Sequence, residues 1–221
     1  MAEGLGLLQL LTWLSPSFPV GAFSYSHGLE QAIREGRVTD VDTLADWIVD
    51  LVERGGGWSD VVLLNEAHGA VIAADPDRLA AVSDLARALA PSMERSRETL
   101  HQGRAFASAL ETGWPGGVAL PDGAPYCVAV CAAAAAHGAG PQDAATAFLH
   151  AFAANLVGVA LRAAGLGQKA GVQVMARLEP VIVAAAQAAA RSDLDDLGSA
   201  TMVSDIMSMR HETLDGRLFI S

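Results

Sequence analysis

The sequence predicts an all-α fold, a single domain of about ten helices over residues 1–221, with an ordered N-terminal loop and an apolar C-terminal tail. Three observations carry that expectation. Apolar residues recur at helical spacing in segment after segment, and no stretch alternates at period two with β-branched enrichment. Hydrophobic residues make up 52% of the 221 residues and charged ones 18%, enough apolar matter to close a substantial core. Capping and breaking residues bound each segment, and neither a linker nor an internal repeat divides the chain.

Leu5, Leu7, Leu8, Leu10, Leu11 and Leu14 form an apolar first helix that Ser15-Pro16 ends. In the stretch from Ser15 to Glu30, prolines, serines and Gly21 break any helix through Gly21. Phe18, Val20, Phe23 and Tyr25 give that stretch more apolar surface than a solvent loop carries, so these side chains are expected to pin it to the body. Pro16 and Pro19 hold the residues before them extended and leave the loop few conformations to lose. On this reading Phe23→Ala damages the fold. A short helix is expected over Tyr25–Glu35, with Gly36 as its C-terminal glycine.

Thr39-Asp40 caps the next helix, where Val41, Leu44, Ala45, Ile48, Leu51 and Val52 share a face until Gly55-Gly56-Gly57 stops it. Trp58–Ala73 continues with Val61, Val62, Leu64 and Val71. Asp75-Pro76 then supplies a cap and a first-turn proline for a helix bearing Leu79, Val82, Leu85, Ala86 and Leu89. The segment from Ser92 to Glu111 is the most polar helix. Its Glu94, Arg95, Arg97, Glu98, His101 and Arg104 read mostly as a solvated face beside Met93, Leu100, Phe106 and Leu110.

Trp114–Pro125, rich in proline and glycine, is the longest irregular connector. Tyr126–His137 and the helix opened by Pro141, running through Phe148, Phe152, Leu156 and Val159 to Ala164, are apolar all round and therefore expected at the centre. Gly165-Leu166-Gly167-Gln168 reads either as a helix stop or as a surface that another backbone approaches closely. Lys169–Arg191 forms a helix that Pro180 bends or splits. Ser204–His211 is a last short helix before a tail holding Leu218-Phe219-Ile220, which either docks on its own body or inserts into a partner.

Composition and motifs exclude several functions. A net charge of −11 argues against nucleic-acid binding, which needs cations to neutralise phosphates. The first residues lack the basic start and cleavage site of a signal peptide, and no apolar run reaches spanning length, so a cytoplasmic protein without a membrane segment is expected. Cys127 and Cys131, at i and i+4 on a helix, are poorly placed for a disulfide and read as small buried hydrophobes. The single lysine, Lys169, stands outside any Gly-Lys-Ser/Thr context, so no P-loop is present. Ser24 and His27 lack the nucleophile-elbow setting, and the scattered histidines form no zinc motif. The chain does not read as an enzyme.

Three segments resemble one family. Ser15-Pro-Ser-Phe-Pro-Val-Gly-Ala-Phe-Ser-Tyr-Ser-His-Gly-Leu-Glu30 resembles the signature of the UreF urease accessory proteins. Leu166-Gly167-Gln168, with Gln173 beyond, is similar to that family's glycine-glutamine segment. Ser208-Met-Arg-His-Glu-Thr213 with Arg217-Leu218-Phe219 is similar to its C-terminal motif.

The resemblance implies an all-α, non-enzymatic, homodimeric maturation factor. Such a factor binds UreD (also called UreH) and the GTPase UreG to assist GTP-dependent nickel insertion into apo-urease. It implies no cofactor on this chain, nickel being handled by the complex and GTP and magnesium by UreG. Arg210, His211, Glu212, Arg217, Leu218 and Phe219 would dock on UreD, with residues 204–221 as the partner-binding end. Tyr25, His27, Glu30, Gly167 and Gln168 would shape partner- and dimer-facing surfaces. A chain cut after Ser208 should then keep its helical body and lose its partners. The alternative is a metallochaperone that holds nickel itself through His27, His211 or the Cys127/Cys131 pair, residue types that suit the ion.

Overall fold

Helix follows helix along the chain in the computed structural model, which describes residues 2–221, so residue 1 of the expected domain lies outside the described residues. The elements are α1 (Ala2–Trp13), α2 (Leu29–Arg34), α3 (Val41–Arg54), α4 (Gly56–Ile72), α5 (Pro76–Ala88), α6 (Met93–Gly113), α7 (Tyr126–Ala136), α8 (Pro141–Ala163), α9 (Gln168–Ala189) and α10 (Met202–His211). Short 3-10 turns occupy Ala22–Ser24 and Leu194–Asp196, and no strand occurs among the described residues.

Local chemistry sets the boundaries. Asp40 accepts the Thr43 amide and the Thr43 hydroxyl returns to the Asp40 amide, a reciprocal cap that starts α3. Asp75 and Ser92 cap α5 and α6 one way only, each accepting a backbone amide, that of Arg78 and of Arg95. The run of three glycines interrupts the helix at Gly55 alone, since Gly56 and Gly57 already belong to α4. Pro180 lies inside one continuous α9 at an exposed position, so it does not split the helix in two.

Helix α7 is buried from Cys127 through Ala135 and packs between α4 and α6, while α8 packs against α4 and α9. Both are central, as their all-round apolarity requires. The buried side chains form one continuous core from Leu10 to Phe219. Helix α8 is the one described helix long and apolar enough to cross a membrane, and 56% of its apolar window is buried inside this core. Close packing at α6 needs Gly103, where a β-carbon would collide with the Ala124 carbonyl oxygen. The 114–125 connector is fastened at Trp114, whose ring meets Trp13 edge-on at 5.5 Å, and at Gly123, whose carbonyl accepts from Arg87 Nε at 3.3 Å.

The N-terminal loop departs from the expected helix at Tyr25–Glu35, because α2 begins only at Leu29. Tyr25 is extended, and His27 and Gly28 are both left-handed, at φ 54° and 75°, a conformation that cannot continue a right-handed helix. Three of the four expected anchors hold the loop. Phe18 stacks on Phe106 at 5.5 Å, Val20 is buried, and Tyr25 is buried with its hydroxyl 3.2 Å from His101 Nδ1. Phe23 is the exception, at 62% exposed. Phe23→Ala is therefore expected to change stability by no more than about 0.5 kcal/mol, read by thermal unfolding, and not to damage the fold.

Candidate functional site

The opening loop and the last residues meet. The Ile220 amide donates to the Ser24 carbonyl at 2.7 Å, and both the amide and the hydroxyl of Ser26 donate to the Ser221 carbonyl. Residues 212–221 thus form a strap laid along the opening loop, with Phe219 turned inward at 4% exposure and Leu218 and Ile220 turned outward at 67% and 52%. Arg162 of α8 ties the two segments together. Its Nη2 donates to the Phe23 carbonyl at 2.8 Å, and its guanidinium lies 4.5 Å above the Phe219 ring. Of the two outcomes open to the apolar tail, the structure shows it docked on its own body.

Carboxylates hold the strap. Glu30, on the first turn of α2 and 1% exposed, accepts the amides of Leu218 at 2.9 Å and Phe219 at 3.1 Å, Arg34 at 2.9 Å and His211 Nε2 at 3.0 Å. Burial alone would raise its pKa, but the hydrogen bonds from His211 and the two amides outweigh it and hold the carboxyl below the usual range. The other nitrogen of the fully buried His211 faces Glu94 of α6 at 2.8 Å, and Glu94 also accepts from Arg217 at 2.6 Å. Arg34 reaches the carbonyls of Asp215 at 2.9 Å and Gly216 at 2.6 Å, which fixes the turn within the strap.

One turn further along α6, Glu98 is the node of a second cluster. It meets His27 at 2.8 Å and Arg95 at 2.5 Å, and accepts from Gln102 at 3.0 Å and from the Ser221 hydroxyl at 3.1 Å. Burial would raise Glu98, yet Arg95 and His27 overcome it and bring the carboxyl to about 2. His27 is pushed below its ordinary value by burial and by the charge of Arg95. Half of the α6 charges expected on a solvated face are therefore interior. Arg97, His101 and Arg104 are exposed, whereas Glu94, Glu98 and most of Arg95 are enclosed, and Met93, expected on the apolar side, is 58% exposed.

Above this cluster lies a cleft of about 510 Å³, walled by Phe18, Val20 and Phe23 of the loop and by Tyr126, Phe148, Phe152 and Leu161. A smaller cavity of about 80 Å³ lies on the side of α5 and α10, and His27, Asp60, Arg95 and Thr99 line both. Asp60 is raised to about 6 by burial, against the lowering effect of Arg95. Folded Asp60 thus keeps its proton to higher pH than the unfolded chain, and the resulting stability is complete below about pH 4 and lost as pH rises through about 6. Asp60→Asn should accordingly gain about 1–3 kcal/mol over the native chain at about pH 8 and nothing at about pH 4, measured by urea unfolding at the two values.

The sequence-expected site residues divide sharply. Tyr25, His27, Glu30, His211 and Phe219 are buried in the loop–strap assembly. Arg210, Glu212, Arg217 and Leu218 face outward beside it, with Arg210 on Glu35 at 2.9 Å and Glu212 on the Met93 amide at 3.0 Å. Gly167 and Gln168 are exposed at the start of α9, and Gln168 lines the cleft together with Arg162. A β-carbon at Gly165 or Gly167 meets nothing within 4 Å among the described residues, and Gly165, left-handed at φ 65°, ends α8.

The residues of the nickel-holding alternative lie in separate surroundings. His27 is engaged with Glu98 and Arg95, and His211 with Glu30 and Glu94. Cys127 and Cys131 are buried in α7 with their thiols raised by burial. Among the described residues no group of three or more His, Cys, Asp or Glu is arranged to hold a metal ion. Ser24 makes no hydrogen bond to His27 among the described residues.

The chain matches the UreF family model over residues 38–179. It is 51% identical to the urease accessory protein UreF of Rhizobium leguminosarum bv. trifolii, over 97% of this chain and 96% of that one. It is 48% identical to the protein of that name from Methylobacterium radiotolerans, over 100% and 99% of the two chains. The protein of that name from Mesorhizobium japonicum is also 48% identical, over 99% and 98%.

Proposed function

The chain belongs to the UreF family of urease accessory proteins, non-enzymatic factors of urease maturation, and from that premise we propose that it is the adaptor that binds UreD (UreH) and the GTPase UreG to assist GTP-dependent nickel insertion into apo-urease. Nickel is the cargo of that complex, GTP and magnesium belong to UreG, and this chain holds no cofactor of its own. The adaptor works in the cytoplasm as a homodimer, to which the outward leucines of α1 (Leu5, Leu7, Leu8 and Leu11, each more than half exposed) lend support as an apolar contact face.

One observation carries the reading. The strap presents Leu218 and Ile220 to solvent while Phe219 and three buried carboxylates anchor it from beneath. An ordered apolar edge of this kind supports protein docking, because its conformational cost is met before the partner arrives. UreD is the partner for this edge.

Urease activation in cells lacking only their own copy of this protein tests the reading. The native chain should restore active urease, and a Leu218→Asp/Ile220→Asp variant should restore far less while remaining folded. Full activation by the variant would overturn the assignment. Calorimetry at micromolar nickel should show no tight stoichiometric site on the isolated chain, in keeping with an adaptor rather than a metal carrier.

A further inference from the structure

We infer that helix α6 is the positioning element of the strap, Glu94 and Glu98 acting as two clamps one turn apart that hold it in the conformation competent for docking. This rests on the adaptor reading above and adds residues outside both the opening loop and the C-terminal motif. Glu94 reaches the strap through Arg217 at 2.6 Å and the end of α10, from which the strap departs, through His211 at 2.8 Å. Glu98 reaches its far end through the Ser221 hydroxyl at 3.1 Å and the opening loop through His27 at 2.8 Å.

The placement is costly unless it is used. Like charges at i and i+4 on a helix repel, and both side chains are almost wholly enclosed, at 5% and 2% exposure. Each carboxylate is answered by groups from other segments: Arg217 and His211 for Glu94, His27 and Ser221 for Glu98, with Arg95 of α6 itself beside them. The same helix therefore fixes the strap at both ends and the loop it lies against. With either clamp gone, the strap must be ordered by the partner, and affinity falls by the fraction of time the strap is out of place.

The test is amide hydrogen exchange on the full-length chain, read at Leu218, Phe219 and Ile220, together with capture of the UreD partner. Arg217→Gln lies on the exposed strap and leaves the core intact, so it serves even where Glu94→Gln impairs folding. Both variants should speed exchange at those three amides by roughly tenfold or more, and the double variant should add little to Glu94→Gln alone, because removing the Glu94 charge already breaks the Arg217 contact. Capture should weaken by a similar factor while protection in α4, α7 and α8 is unchanged. Arg217→Lys, which keeps the charge, should restore most of the protection, and Arg97→Gln, solvent-facing on the same helix, should change nothing.

Unchanged strap exchange in Arg217→Gln, or faster exchange with undiminished capture, would overturn the inference. A native chain that captures no UreD would overturn the adaptor reading instead, and the exchange measurements would still decide the clamp.

Discussion

A chain ending at Ser208 is expected to melt roughly 10 °C or more below the full-length protein, as measured by circular dichroism. The cut removes His211, Arg217 and Ser221, which strips Glu94 of both its partners and takes one side-chain partner from Glu30 and one from Glu98. Arg34 still answers Glu30, and Arg95 and His27 still answer Glu98. Breaking a buried charge pair by removing one partner costs about 3–5 kcal/mol, because the remaining charge stays enclosed and uncompensated. Phe219, 4% exposed beneath Arg162, adds the loss of a buried aromatic, about 3 kcal/mol or more. Relaxation that lets water reach the carboxylates offsets part of that sum. His211→Ala and Phe219→Ala should each reproduce part of the drop, and coincident melting of cut and intact chains would refute the strap. This reverses the expectation, drawn from the position of the tail in the sequence, that its removal spares the body.

Gly28→Ala should destabilise the protein by about 3 kcal/mol, the sum of a left-handed conformation forced on alanine, about 1–2 kcal/mol, and an overpacked contact of about 1–3 kcal/mol. Gly28 has φ 75°, and a β-carbon there would stand 2.5 Å from the Ser208 amide nitrogen. The obstacle is backbone, so it cannot swing aside as a side chain would. Helix α10 would have to move off α2, taking His211 from Glu30 with it. Urea unfolding reads the stability, and exchange at the Leu218 and Phe219 amides should rise in parallel. An unchanged unfolding midpoint would mean that α10 is not seated on Gly28.

Helix content and order were legible in the sequence because capping chemistry is local. Asp40, Asp75-Pro76 and Pro141 mark their helices within a residue or two, and the all-apolar α7 and α8 announce their burial. The loop was legible as an ordered feature, but not in the role of Phe23, since apolar identity alone does not say which of four side chains turns outward. The late start of α2 was hidden because Ser24 and Ser26 pair with residues almost two hundred positions away, a contact no local pattern encodes.

The α6 cluster carried a signal that a count of charges obscures. Glu94, Glu98, Gln102, Phe106 and Leu110 follow one another at four-residue spacing and line one buried stripe, polar at the end that meets the strap and apolar at the end that meets the core. Read by register, those glutamates stand at core positions and call for buried partners. Arg162 and Asn155, which hold the Phe23 and Tyr25 carbonyls, left no such trace.

The most direct test of the account is co-expression of the chain with the UreD and UreG of its own organism, followed by size-exclusion of the captured complex. The native chain should bring both partners through the column, and the Leu218→Asp/Ile220→Asp variant, folded to the same melting temperature, should lose UreD. Equal capture by the two chains would contradict the account, because the outward edge of the strap would then not be the surface on which the complex is built.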